Sequence, residues 1–223
     1  MQDLSFLENK TLICFGDSTT WGDNGIDGGA MEISWINTLK KILPFQNIQN
    51  KGIKGSRIAK CSDRHDSFVE RLDTLQLNNA DYLILFGGVN DFQHSVPLGN
   101  FETQDITSFF GALNFCTKKI LNTNPNLKMI FATPTKNNFH HPTKKYPTSL
   151  QRNDLSLQQK DYVNAIQQVA NFYSQPCINL FNDSGISPFI KAHEQFMPDG
   201  LHYSPSGYRL LGQRIARLIL PYL

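Results

Sequence analysis

The sequence predicts an α/β protein in which five parallel strands form one sheet, covered by helices on both faces as a three-layer α/β/α sandwich. Two observations carry this. Short apolar runs without polar alternation recur five times, as parallel strands buried on both faces require. Between them, apolar residues return at spacings of three and four, the helical period, and strand–helix–strand alternation implies right-handed crossovers. The 223 residues fit a single domain spanning 1–223. A chain of this length buries well over half of its unfolded surface, so its core needs no disulfide or structural metal.

Taken in order, the first strand is expected at residues 11–15, followed by a helix over 33–43. The weakest strand, 48–50, leads to a helix over 64–77, and 82–86 is the third strand. Ile106, Phe109, Phe110, Leu113 and Ile120 mark the next helix, behind the cap-capable Thr103 and Asp105. The fourth strand, 128–132, precedes a stripe of Leu157, Ile166, Val169, Ala170 and Tyr173. After the fifth strand, 177–181, Ser204-Pro205 opens a last helix with Leu211, Ile215, Leu218 and Ile219. Residues 133–150 are polar, contain three prolines and lack apolar period, which predicts a mobile flap. His140-His141 lies within it, without partners at metal-ligand spacing.

Charge narrows the function. Lys and Arg number 21 against 19 Asp and Glu, a balance of +2, with no basic run longer than two; this does not suit a binder of nucleic acid. No stretch of 18 apolar residues is present to span a membrane. The start, MQDLSFLENKTLICFG, places acids where a signal peptide carries Lys or Arg. Cys14, Cys61, Cys116 and Cys177 are far apart and form no C-x-x-C pair, so they read as reduced structural thiols and predict a cytoplasmic location. Neither a metal nor a cofactor is expected. No G-x-x-x-x-G-K-[ST] or G-x-G-x-x-G string supports nucleotide binding. Nothing in the sequence specifies an oligomeric state.

Four short elements carry chemistry, and three of them follow the first three strands, where open α/β sheets bind ligands. Phe15-Gly16-Asp17-Ser18 places a serine at a strand-to-helix turn, with its own N–H facing a ligand. Gly52-Ile53-Lys54-Gly55-Ser56 offers a bare backbone N–H at Gly55. Gly87-Gly88-Val89-Asn90-Asp91 brings a neutral amide donor, Asn90, with Asp91 bracing the turn through local backbone hydrogen bonds. Asp199-Gly200-Leu201-His202 supplies a base and the carboxylate that orients it. Each string alone also fits an ordinary turn or helix cap. Together they hold a nucleophile, donors, a base and its orienter.

In these blocks the chain resembles the SGNH hydrolases of the GDSL lipase/esterase superfamily. Phe15-Gly16-Asp17-Ser18-Thr19-Thr20-Trp21-Gly22 fits F-G-D-S-x-x-x-G, Gly55 the glycine block, Gly88-Val89-Asn90-Asp91 G-x-N-D, and Asp199-Gly200-Leu201-His202 D-x-x-H. The resemblance implies a flavodoxin-like sheet of order 2-1-3-4-5 and a cofactor-free serine esterase. Ser18, His202 and Asp199 would form the catalytic triad. Ser18, Gly55 and Asn90 would form the oxyanion hole, with Asp17, Gly88 and Asp91 in support. Trp21, Phe139 and Tyr146 are candidates for touching substrate, and the basic Lys54 and Arg57 are the least family-typical features. The substrate expected is a small-molecule O-acyl ester, including acylated carbohydrate. The alternatives are an O-acyltransferase, a lysophospholipase or thioesterase, a non-catalytic binding module and, from the strand pattern alone, a flavin-binding electron carrier.

Overall fold

The strand order is β2-β1-β3-β4-β5, all parallel, in a computed structural model that describes residues 3–223. The strands are β1 (Thr11–Gly16), β2 (Asn47–Gly52), β3 (Tyr82–Phe86), β4 (Lys128–Ala132) and β5 (Cys177–Ile178). Helices α1 (Ser18–Trp21) and α2 (Trp35–Ile42) follow β1, and α3 (Phe68–Arg71) follows β2. After β3 come α4 (Val89–Gln93) and α5 (Phe109–Thr123), and α6 (Gln159–Phe172) follows β4. Helices α7 (Leu180–Asp183) and α8 (Pro205–Ile219) complete the order.

Side chains alternate across each strand, so one sheet makes two cores. Ile13, Phe15, Leu83, Leu85, Met129 and Phe131 pack with Phe109 and Leu113 of α5 and Ile166 and Val169 of α6. Leu12, Cys14, Ile84, Phe86 and Ile130 pack on the other face with Trp35 and Leu39 of α2 and Leu211 and Ile215 of α8. This is the expected sandwich. Ser204 accepts from Gly207 N with Pro205 in the first turn, so α8 opens as its sequence predicts.

The departures lie in element bounds. Strand β2 is longer than 48–50: its ladder with β1 runs from Asn47 to Gly52. Strand β5 stops at Ile178 because the Asn179 carboxamide accepts from Asn182 N and starts α7. Only Phe68–Arg71 of the helix expected at 64–77 forms, opened by a Ser67/Glu70 capping box and followed by 3-10 turns at Leu72–Thr74 and Leu77–Asn79. Helix α5 is capped by Ser108, whereas Asp105 binds Thr107 N instead. Among the described residues no helix is long and apolar enough to cross a membrane.

Candidate active site

Beyond Gly16 the Asp17 carboxylate accepts Thr19 N at 2.9 Å, turning the chain into α1 with Ser18 as its first residue. Ser18 Oγ lies 3.0 Å from His202 Nε2, across 184 positions of sequence. His202 Nδ1 lies 2.6 Å from Asp199 Oδ2. That carboxylate holds the proton on Nδ1 and leaves Nε2 to accept from the Ser18 hydroxyl. The other Asp199 oxygen accepts Leu201 N at 2.9 Å and His202 N at 2.7 Å, so one side chain shapes the turn and orients the ring.

Burial pulls the His202 imidazole toward neutrality, but the Asp199 carboxylate outweighs it and leaves the pKa above the ordinary value. Asp199 is raised by burial and lowered further by its His202 and backbone donors, with a net fall. Gly25 presses against this carboxylate: any Cβ there would strike Asp199. No sequence motif marked Gly25.

The second wall comes from the ends of β2 and β3. The Asn90 amide donates to Ser56 O at 3.1 Å and makes only a long 3.4 Å contact to Asp17 Oδ2. The N–H groups of Ser18 and Gly55 have no acceptor among the described residues. Gly55 has φ +71°, a left-handed conformation that favours glycine.

Asp91 does not brace its own turn, as its neighbours in sequence suggested. It accepts Ile58 N at 2.9 Å and Ala59 N at 3.0 Å, tying α4 to the Gly55 loop. Gly88 abuts the Phe109 ring and precedes α4. Burial pushes Asp17 and Asp91 each up to about 6.

Arg71, also unmarked in the sequence, joins the ends of β1 and β2 to the loop that follows β2. Its buried guanidinium donates to Gly16 O at 2.9 Å, Lys51 O at 2.9 Å and Ser56 Oγ at 3.0 Å. It lies 4.5 Å from the Phe15 ring and 4.9 Å from that of Phe68.

These groups open onto a cavity of ≈ 320 Å³ lined by Ser18, Gly55, Asn90 and His202, together with Phe139 and Tyr146. Phe139 meets the His202 ring edge-on at 6.4 Å, and Tyr146 packs on His94 at 4.8 Å. Trp21 is not part of the lining; its ring sits 4.1 Å beneath Lys54 Nζ. The stretch that delivers Phe139 is hydrogen-bonded to the Asp199 turn through Asn138 N to Gly200 O and His140 N to Asp199 O. Residues 141–145 beyond it are exposed. Arg57 turns away from the cavity to pair with Asp63. Among the described residues no group of three His, Cys, Asp or Glu side chains converges to hold a metal ion.

A parallel-sheet sandwich with a hydroxyl, an imidazole and a carboxylate in series beyond its strand ends is an arrangement suited to serine-dependent hydrolysis. The chain matches the GDSL-like lipase/acylhydrolase family over residues 14–210 and belongs to it, as its motifs implied. It is therefore a hydrolase of the esterase or lipase type. One solved structure is 48% identical, covering 96% of this chain and 98% of its own, with a TM-score of 0.93. A protein from Lactobacillus plantarum, 24% identical, covers 96% and 98% with a TM-score of 0.80. A possible lipase from Chitinophaga pinensis, 19% identical, covers 95% and 98% with a TM-score of 0.74. These last two show the shared fold. No curated protein matches the chain.

Proposed function

We propose that the protein is a cofactor-free serine esterase that cleaves small O-acyl esters through an acyl-enzyme. The observation that carries this is the continuous series from Ser18 Oγ to His202 Nε2 and from His202 Nδ1 to Asp199, at 3.0 and 2.6 Å. Ser18 attacks the ester carbonyl while His202 takes its proton and returns it to the leaving alcohol; Asp199 stabilises the imidazolium between these steps. The developing oxyanion meets the Ser18 and Gly55 N–H groups and the Asn90 amide, whose loose contact to Asp17 leaves a hydrogen to redirect. Water, deprotonated by His202, then releases the acid. The cavity of ≈ 320 Å³ favours a small acyl group over a long chain. The reading extends to one domain over 1–223 and, from four free thiols, to the reducing cytoplasm.

Ser18→Ala tests it. Folded Ser18→Ala protein is expected to lose at least about 10³-fold in kcat on a short-chain p-nitrophenyl ester. Wild-type turnover by that variant would overturn the reading.

A further inference from the structure

Positive charge gathers at this cavity out of proportion to the chain. Lys and Arg exceed Asp and Glu by only 21 to 19 overall. Yet Lys54, Arg64 and Lys144 line the cavity, with Asp23 the one acid among the lining residues.

Arg64 is fixed on one side and open on the other. Its Nε and Nη2 each donate to Asp66 at 2.5 Å, and Nη2 also reaches Lys54 O at 2.8 Å. Nη1 has no acceptor among the described residues, and it lies so close over Gly55 that a Cβ there would strike it. A guanidinium anchored by a carboxylate keeps its full charge, and the two free hydrogens on Nη1 can each donate a charge-assisted bond to an anionic oxygen.

Lys54 is anchored too: Nζ donates to Gly28 O and sits 3.4 Å from Asp23 Oδ2. Lys144 is exposed and forms no ion pair among the described residues. None of the three stands in the series from Ser18 to Asp199. Lys54 is occupied by Gly28 and Asp23, which leaves Arg64 Nη1 and Lys144 to meet what the cavity holds.

We propose that the ester bound here carries a second, anionic oxygen group, a carboxylate or a phosphate, held by Arg64 Nη1 and Lys144 beside the Ser18–Gly55–Asn90 corner. This rests on the esterase reading and names its substrate class. Because Nη1 lies over Gly55, the anion sits within a few bonds of the carbonyl under attack.

Matched ester pairs test the proposal, with acid release followed by pH-stat. O-acetylglycolate is compared with O-acetylglycolamide, 2-acetoxyethyl phosphate with 2-acetoxyethanol, and, for an anion on the acyl side, monomethyl succinate with methyl succinamate. At least one anionic member is expected to exceed its neutral partner in kcat/KM by about tenfold or more, mostly through KM. The pair that responds distinguishes carboxylate from phosphate.

Arg64→Met is expected to erase most of that ratio and Arg64→Lys to restore part of it. Lys144→Met, on an exposed segment where folding is not at stake, is expected to reduce the ratio several-fold, and added salt to shrink it further. Turnover of all three pairs without charge preference overturns the anion proposal and leaves the esterase reading standing. Calorimetry on the Ser18→Ala protein reads the subsite without chemistry: 2-acetoxyethyl phosphate should bind about tenfold tighter than 2-acetoxyethanol. Equal affinities there, with no preference in turnover, would sink the proposal, whatever the fate of Ser18.

Discussion

Arg71→Met removes one buried cation while keeping an unbranched apolar stem against Phe15 and Phe68. Three hydrogen bonds are lost, to Gly16 O, Lys51 O and Ser56 Oγ. At about 1.5–3 kcal/mol for each bond from a charged donor, the gross loss is about 4.5–9 kcal/mol. Part of this returns, because burial holds the guanidinium down from its ordinary value to about 10, a penalty of roughly 3 kcal/mol that methionine does not incur. The net expectation is a loss of about 1.5–6 kcal/mol, centred near 4. Urea unfolding should show a lower midpoint at unchanged slope, and the melting temperature should fall by roughly 8–16 °C.

Function should change in a way that plain destabilisation does not. Arg71 is a positioning residue: it fixes the Gly55 loop against the end of β1 at Gly16, two residues before Ser18. With that link cut, kcat should fall by about 10- to 100-fold at temperatures where the variant is folded, with KM changing less. Arg71→Lys should restore only part, since one ammonium cannot reach three acceptors in the fork geometry. A variant within about 0.5 kcal/mol of wild type in stability and twofold in kcat would refute the reasoning.

Two other outcomes are expected. Catalysis needs neutral His202, so kcat/KM should climb with pH through a midpoint above the ordinary 6.5. Asp199→Asn should move that midpoint down and cut kcat by roughly 10³–10⁴, because the amide holds His202 in the wrong tautomer; a pH–rate profile on both proteins checks this. Gly55→Ala forces a side chain into φ +71° and onto Arg64, so chemical denaturation should show a loss of about 1–3 kcal/mol, with kcat on a neutral ester falling as the N–H shifts.

The central strands were legible because both of their faces are covered: 82–86 is an apolar run, 128–132 is one behind its opening Lys128, and they match β3 and β4 residue for residue. The two misjudged strands are the edges of the sheet. β2 reads NIQNKG and exposes much of its surface, and β5 is two residues long. A helix over 64–77 was expected between the second and third strands, but Phe68, Val69 and Leu72 reach the core from one helical turn and a 3-10 turn, whose sequences carry no distinct period.

Ser18, Asn90, Asp199 and His202 were readable because their neighbours in sequence are fixed by the same turns that aim them. Arg71, Asp91 and Gly25 act on partners 15 or more positions away, on backbone groups or by leaving space. A carbonyl accepts the same bond whatever residue carries it, so such contacts leave no mark on the partner's identity.

The carboxylate at 199 has a reason to persist that is independent of turnover. It ties Leu201 N and His202 N into the loop ahead of α8, and that service continues even if no acyl group ever arrives. A lineage drifting toward a pseudoenzyme could discard the hydroxyl at position 18 at little structural cost, while replacing the aspartate would loosen a fold-bearing loop. In kindred chains, then, a retained D-x-x-H testifies to architecture, and the serine is the more informative witness to living chemistry.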